Sequence, residues 1–278
     1  MVRLMTWNVW WRFGAEWRRR ADAIEATVAA CRPDLVGLEE AWASAESDQA
    51  AELAARFGMH SAFGRGSLPP APDPVEHAEQ EGIEVGVGLL SRWPITVSRM
   101  HRLPATGHPP PVALEAEVAH PLGPLRVLVA TTEWEPVFRD DHVAQAAALG
   151  ALLAVRDDDP RPALLLADLN AEWGSDELAG LSAARDLFDE GGGAADAVTL
   201  SSALPIAPLE AVRQVDRRID HVLVGPGPAG RRVRATSARV LDQPVGGVWA
   251  SDHFAVLVDV ELDTPPAAAS FPGASPRG

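Results

Sequence analysis

Seven polar residues of this sequence stand at the ends of apolar runs or, in the case of Asp220, inside a predicted strand. They are Asn8, Glu40, Asp168, Asn170, Asp220, Asp252 and His253. Two of the acids, Glu40 and Asp252, are hard oxygen ligands of the kind that Mg²⁺ prefers in proteins. Asp168 can orient or deprotonate a water molecule, and the two amides, Asn8 and Asn170, can donate to a developing oxyanion. Asp220 and His253 supply a carboxylate and an imidazole, a pair that fixes a tautomer and supports the protonated ring. These groups together meet the needs of phosphoester hydrolysis.

Each of these residues also has an ordinary structural explanation when it is taken alone. Asn8 could cap a helix, Glu40 could be solvated, and His253 could be a hydrogen-bonded histidine of the core. Asp168 and Asn170 could form no more than a turn after a strand. The combination of seven such positions in one order favours the chemical interpretation.

The elements that must position these residues are mainly buried strands. The run from Ala163 to Ala167 is wholly apolar and predicts a strand that is buried on both faces. Because alternate residues of a strand share a face, Asp168 and Asn170 are expected to point the same way. Further strands are predicted over residues 3–9, 34–40, 84–91, 112–119, 125–132, 217–224, 233–241 and 254–261, with another from Ile95. Helices are predicted over 16–31, 47–57 and 137–155, with short helices over 176–189, and 64–82 reads as a long, proline-rich surface loop.

The bulk composition limits the classes of protein and partner. The 278 residues are 47% hydrophobic and 23% charged, which is typical of a globular chain. We expect one domain over 1–263 and a disordered tail over 264–278. The single cysteine, Cys31, excludes an internal disulfide and a thiolate metal site. With no membrane-length apolar run and no signal pattern, the sequence predicts a cytoplasmic protein, and we expect a monomer.

The formal net charge is −15, and the basic residues are all arginines. Affinity for duplex nucleic acid comes mostly from basic side chains on phosphates, so the charge argues against a duplex-binding protein. A small anionic substrate that is neutralised by a bound cation remains compatible with it.

Six segments carry a resemblance to a known family. TWNVW, LVGLEEAW, GLLSRWPI, ADLNAEW, RRIDHVLV and SDHFAV, in this order, resemble the endonuclease/exonuclease/phosphatase superfamily of metal-dependent phosphoesterases. The resemblance implies an α/β (α+β) fold of the DNase I-like type, a four-layer sandwich with two mixed β-sheets face to face and helices outside. It also implies that Glu40 is a metal ligand, that Asp168 and Asn170 form the D-x-N motif, and that Asp220 pairs with His253.

Two departures from the family pattern concern the substrate. The family often has Thr-His-Leu where this chain has Thr132-Glu133-Trp134, and that histidine helps to hold phosphate. We therefore expect Glu133 either to contact the substrate or to join the metal shell. Six of the nine tryptophans lie near the proposed site residues in sequence, namely Trp10, Trp11, Trp42, Trp134, Trp173 and Trp249. Trp10, Trp134 and Trp173 are expected to form an aromatic wall for the substrate.

The sequence thus predicts a Mg²⁺-dependent hydrolase, with Mn²⁺ as an alternative metal, that acts on a small or lipid-like phosphodiester or phosphomonoester. A DNA or RNA nuclease is the alternative within this chemistry. A binding protein that keeps the fold without turnover is the alternative from another class.

Overall fold

The computed structural model describes residues 1–14, 16–154, 161–209 and 211–263. Twelve strands form two sheets in this part of the chain: β1 Val2–Asn8, β2 Leu35–Ala43, β3 His60–Arg65, β4 Glu84–Ser91, β5 Ile95–Arg102, β6 Val112–Val118, β7 Leu125–Thr131, β8 Ala163–Asp168, β9 Arg185–Asp186, β10 Asp220–Val224, β11 Val233–Leu241 and β12 Ala255–Leu262. The helices are α1 Trp17–Cys31, α2 Gln49–Phe57, α3 Arg139–Leu153, α4 Leu187–Glu190 and α5 Gly227–Gly230, with 3₁₀ turns at Ala78–Gln80, Pro136–Phe138 and Asp176–Leu181.

Each sheet has six strands and mixed pairing. The strand orders are β11-β12-β1-β2-β4-β3 and β5-β6-β7-β8-β10-β9. The pair β1–β2 is parallel, as is β7–β8, and the other pairs are antiparallel. The carboxyl ends of β1, β2 and β8 therefore lie at the same edges as the amino ends of β10 and β12, which run the opposite way.

Alternation along the strands builds four layers. Val2 and Leu4 of β1 belong to the core between the two sheets, together with Leu164 and Leu166 of β8. The alternate residues of β1 pack instead against α1 and α2. In the same way, the opposite face of β8 packs against α3. The fold is thus helices, sheet, sheet, helix, as the resemblance implied.

The two sheets approach each other closely at Gly37 of β2. A Cβ atom at this position would lie 2.7 Å from the Cβ of Leu166 in the facing sheet. A side chain larger than hydrogen would push the sheets apart at a point two residues before Glu39. Gly37 therefore keeps the ends of β2 and β8 close to each other.

The strand and helix predictions are largely confirmed, with differences at four places. The two-residue strand β9 lies within the segment 176–189, for which only short helices were predicted. Strand β3 was not predicted, because its sequence, HSAFGR, alternates poorly and lies at the edge of its sheet. The expected loop 64–82 begins with the last residues of β3 and contains a 3₁₀ turn, so it is partly regular. Asp220 is the first residue of β10 rather than an internal one. The expected tail 264–278 lies outside the described residues. Among the residues that are described, no helix is long and apolar enough to span a membrane.

Candidate active site

All seven of the predicted polar residues meet at one edge of the facing sheets. Asn8 ends β1, Asp168 ends β8, and Asp220 begins β10 opposite Asp168 in the strand register. Asp252 and His253 lie just before β12, which is antiparallel to β1. All of them except Asn170 are buried. Topology therefore brings together residues that are up to 245 positions apart.

Asn8 connects the two sheets directly. Its Nδ2 donates to Glu40 Oε1 at 2.8 Å and to Asp168 Oδ2 at 2.9 Å, and its Oδ1 accepts from the backbone N–H of Trp10. We expected Asn8 to donate to the substrate, but its amide hydrogens are both directed to carboxylates. Its side chain fixes the positions of two acids relative to each other.

The backbone of β2 changes its alternation at the glutamate pair. Leu38 pairs with Gly88 and Ala41 pairs with Gly86, so Glu39 and Glu40 together face one residue of β4. Glu40 has a φ of 49°, which is a left-handed conformation. This β-bulge turns Glu40 toward Asn8 and the cleft, whereas a regular strand would point it to the helical side.

The two carboxylates that Asn8 joins are both hard to ionise. Burial and the nearby Asp252 raise the pKa of Glu40 to about 8, against the opposing hydrogen bond from Asn8. Burial and Asp220 raise the pKa of Asp168 to about 6, opposed by His253 and Asn8. Burial also raises the pKa of Asp252. Three carboxyl groups thus lie close together at this edge of the sheets with little solvent around them. Such an arrangement is typical of a site that binds a cation.

His253 is held between acids on the opposite side of the cleft. Its Nδ1 lies 2.9 Å from Asp220 Oδ2, and its Nε2 lies 4.0 Å from Asp168 Oδ2. Burial lowers the pKa of His253, but Asp220 and Asp168 outweigh it and raise this pKa well above its usual range. The two acids therefore favour the protonated imidazole.

The donor set fits a divalent cation at Glu40 and Asp252. Glu40 Oε2 is buried and has no hydrogen-bond partner among the described residues, so one carboxylate oxygen remains for a ligand. Ligand atoms of Asp168, Asp220 and His253 also lie within 4.8 Å of one another. In that second cluster Nδ1 of the imidazole is already bound to Asp220, while Asp220 Oδ1 is buried and has no hydrogen-bond partner among the described residues.

Arg20 organises the loop that follows β1. Its guanidinium reaches the backbone carbonyls of Val9, Trp10, Trp11, Phe13 and Ala250 at distances of 2.8–3.3 Å. The same group lies 4.6 Å from the ring of Trp10, and Trp10 and Trp11 both have positive φ. Arg20 thus holds the loop that follows Asn8 against the loop that carries Asp252, and its partly compensated burial lowers its pKa to about 10.

A cavity of about 310 Å³ opens at this edge, and we call it the central pocket. Its charged and polar lining consists of Glu40, Glu76, Asp168, Asn170, Asp252 and His253. Its other walls are mostly apolar and consist of Trp10, Phe13, Gly14, Leu68, Pro69, Trp134, Leu200, Pro208 and Ala211. The expected loop 64–82 therefore reaches the pocket through three of its residues.

The sequence matches the Endonuclease/Exonuclease/phosphatase family over residues 5–253. The chain belongs to this family. Members of the family are hydrolases that act on phosphoester bonds. No curated protein matches the sequence significantly.

Solved structures of the endonuclease/exonuclease/phosphatase family have the same fold. One is the family member from Beutenbergia cavernae DSM 12333, 25% identical, with a TM-score of 0.67 over 96% of this chain and 73% of that chain. The human nocturnin catalytic domain with bound sulfate anion is 18% identical, with a TM-score of 0.70 over 94% of both chains. D. rerio TDP2 complexed with single strand DNA product is 15% identical, with a TM-score of 0.69 over 94% of this chain and 98% of that chain.

Glu133, which stands where the family often has histidine, points away from the central pocket. Its Oε1 accepts from the backbone N–H groups of Trp134 and Glu135, and its Oε2 lies 3.0 Å from His108 Nε2. The side chain is buried and is not among the residues that line the pocket. The expected contact of Glu133 with substrate or metal therefore has no support in the geometry, and the side chain lies instead beside His108, a histidine that the sequence did not bring to attention.

The tryptophans divide into wall residues and core residues. Trp10 and Trp134 line the central pocket, and Phe13, which was not predicted, lies beside them. Trp11 and Trp42 belong to a small buried cluster, and Trp249 packs against Phe254. Trp173 lies 6.1 Å from the ring of His221 and lines a different cavity. The aromatic wall is thus smaller than the sequence suggested.

Glu39 is a buried acid that the sequence analysis passed over in favour of its neighbour. It accepts from Thr6 Oγ1 at 2.9 Å, and its Oε2 has no hydrogen-bond partner among the described residues. Burial and the charge of Asp220 raise its pKa well above the usual range. The pair of acids in LVGLEEAW was the available signal for it.

Glu39→Gln is expected to stabilise the metal-free protein increasingly as the pH rises from 5 to 8. In the wild type, the raised pKa makes the folded state bind more protons than the unfolded state, so stability falls with pH. The amide does not titrate, and the variant gains about 1–3 kcal/mol at pH 8 relative to pH 5. Urea unfolding at both pH values measures this, with exposed Glu84→Gln as the control. A difference between variant and wild type that stays constant with pH contradicts the account.

Proposed function

We propose that this chain hydrolyses a small or lipid-like phosphoester with the help of Mg²⁺, or Mn²⁺ in its place. The observation that carries the proposal is the arrangement around Asn8. This amide joins a carboxylate with a free buried oxygen, Glu40, to a second carboxylate, Asp168, that faces a protonated histidine. Cation site, base and charged donor thus lie on three sides of one pocket.

Asp168 orients and deprotonates the attacking water molecule. Its pKa of about 6 leaves it ionised at neutral pH but more basic than an ordinary aspartate, which suits a group that orients and deprotonates water. The backbone N–H of Asn170 donates to Asp168 Oδ1 at 3.1 Å, and Asn8 holds Oδ2. These two contacts fix the direction in which the carboxylate accepts a hydrogen bond.

His253 and Asn170 stabilise negative charge on the phosphoester. The imidazolium presents Nε2 to the cleft while Asp220 holds Nδ1. Asn170 donates one amide hydrogen to the carbonyl of Thr132 and lines the pocket, so its second amide hydrogen is available to an oxygen of the substrate. Preorganised donors of this kind stabilise the transition state more than the ground state.

A divalent cation would be held by Glu40 and Asp252. When bound there, Mg²⁺ supplies positive charge that neutralises phosphoester oxygens. Two carboxylates are a usual number of protein ligands for Mg²⁺, which keeps several of its waters.

The walls of the central pocket favour a substrate with an apolar or aromatic group. Trp10, Phe13 and Trp134 offer ring surface, and no arginine is among the described residues that line this pocket. A duplex would need several cationic contacts, and the net charge of −15 opposes its approach. We therefore favour a small ester over a nucleic-acid duplex as the substrate.

Nuclease action on a single strand is the second candidate, because the same rings could stack a base and because the fold neighbour TDP2 was solved with a single strand DNA product.

A panel of phosphoesters tests the proposal. We expect metal-dependent release of p-nitrophenol from bis(p-nitrophenyl) phosphate, abolished by EDTA and by Asp168→Asn, and no measurable cleavage of plasmid duplex at 150 mM salt. Rapid plasmid cleavage that is lost in Asp168→Asn would assign the chain to the nucleases. Absence of turnover on every ester and strand, with metal binding retained, would assign it a binding role.

A further inference from the structure

A second cavity of about 300 Å³ adjoins the central pocket. Trp134 and Asn170 line both cavities, so these two residues form the wall between them. Asn170 is also the proposed donor to the phosphoester. A phosphorus atom bound beside Asn170 therefore lies next to the entrance of the second cavity.

Three arginines face this second cavity, which we call the arginine pocket. They are Arg139, Arg213 and Arg217. Glu177 Oε1 lies 3.0 Å from Arg139 Nε and 3.6 Å from Arg213 Nη2, so one carboxylate is shared by two guanidinium groups. Arg217 pairs with Glu172. The guanidinium of Arg213 makes no hydrogen bond to the described residues, and its side chain is 52% exposed. The N–H groups of the Arg213 guanidinium are thus available as hydrogen-bond donors to a ligand in the cavity.

The segment that carries Arg213 and Arg217 is attached to the dividing wall. Gln214 Nε2 donates to the carbonyl of Trp134 at 2.9 Å and lies 3.4 Å from that of Asn170. Glu135 also lines the cavity, so three carboxylates and three guanidiniums surround it. The balance of charge is even, and selection must come from the planar, bidentate geometry of the guanidinium, which matches phosphate and carboxylate.

We propose that the substrate is a phosphodiester whose second arm enters the arginine pocket and carries a phosphate or carboxylate group that Arg213 and Arg139 bind. The inference rests on the proposed function and refines it. The central pocket, whose remaining walls are apolar, accepts the ester group that leaves phosphorus as the alcohol. The arginine pocket accepts the other ester group, which stays bound to phosphorus. A monoester has a single arm and would use one of the two cavities.

Two chromogenic esters that differ by one remote phosphate test this assignment. They are thymidine 5′-(p-nitrophenyl phosphate) and the same ester with a 3′-phosphate. For the wild-type protein with Mg²⁺, we expect the 3′-phosphate to raise kcat/KM about tenfold, mainly through KM. In Arg213→Ala the ratio of kcat/KM between the two esters should fall to about one. In Arg213→Lys, which keeps the charge but not the planar guanidinium, the ratio should take an intermediate value.

Arg99→Ala, at an exposed position on the distant edge strand β5, is the matched control and should keep the wild-type ratio. Hydrolysis of both esters with equal kcat/KM, or a ratio unchanged in Arg213→Ala and in the double variant Arg139→Ala/Arg213→Ala, overturns the arginine-pocket assignment while the proposed function stands. If the protein hydrolyses neither of these esters and does not hydrolyse bis(p-nitrophenyl) phosphate, the proposed function itself is overturned. Stronger competition by a single-stranded oligonucleotide than by thymidine 3′-phosphate, at equal phosphate concentration, overturns the small-molecule assignment.

Discussion

Alanine at His253 or at Asp220 is expected to lower the metal-dependent kcat/KM by about 10³-fold, and the double variant is expected to lose little more than either single one. The physical reason is that the two side chains act as one unit. Asp220 Oδ2 holds Nδ1 of the imidazole at 2.9 Å, and its carboxylate supports the protonated ring inside a buried site. Once the carboxylate is removed, burial favours the neutral ring, and the donor at Nε2 is lost from much of the population.

Kinetics of the four proteins in a double-mutant cycle measure this coupling. Asp220→Asn adds a pH criterion: removal of the negative charge lowers the pKa of His253, so the alkaline limb of the pH–rate profile should move to lower pH. Circular dichroism of each variant controls for folding. Single losses that multiply in the double variant, or an alkaline limb that does not move in Asp220→Asn, would show that the two residues act independently.

Glu40→Gln is expected to reduce metal-dependent activity by at least about 10²-fold and to weaken metal binding while the fold is retained. Glu40 has one buried oxygen without a partner, and the amide offers a neutral oxygen where the carboxylate offers a charge. The pKa of Glu40 is about 8 in the metal-free protein, so binding of a cation at pH 7 must displace a proton. The affinity of the wild type for Mg²⁺ or Mn²⁺ should therefore rise between pH 6 and pH 8.

Isothermal calorimetry with MnCl₂ at pH 6, 7 and 8 measures both parts of this prediction, because proton release appears as a dependence of the heat on the buffer. Glu46→Gln, at an exposed position after the same strand, is the control and should behave as the wild type. Full activity of Glu40→Gln at low metal concentration, or an affinity that is independent of pH, would place the cation elsewhere.

The strands and the identities of the site residues could be predicted because they are local properties of the sequence. An apolar run such as Ala163–Ala167 indicates a buried strand by itself, and a polar residue that ends it, such as Asp168, is conspicuous. The order of such residues along the chain matched a known family, which supplied the pairing of distant strands. That pairing depends on contacts between β1 and β12 and between β8 and β10, which periodicity in one segment does not contain.

The details that depend on backbone irregularity or on distant partners could not be predicted. The bulge that redirects Glu40 requires a positive φ at a glutamate, for which the sequence has no turn signal. The family resemblance placed Glu133 near the substrate or the metal, whereas the histidine beside it, His108, lies in a loop 25 residues earlier. No role was predicted for Arg20, although it binds five backbone carbonyls. Such roles are visible only once the loops are folded.

Transfer of oxygen from solvent tests the central claim, that Asp168 directs water at phosphorus in a metal-dependent site. The protein is incubated with bis(p-nitrophenyl) phosphate and Mg²⁺ in H₂¹⁸O, and the p-nitrophenyl phosphate product is analysed by mass spectrometry. We predict one ¹⁸O atom in each product molecule, formed at a rate that falls by at least about 10²-fold in Asp168→Asn and to background with EDTA. Product that forms equally fast without metal or in Asp168→Asn, or that carries its ¹⁸O in p-nitrophenol rather than in the phosphate, would contradict the account.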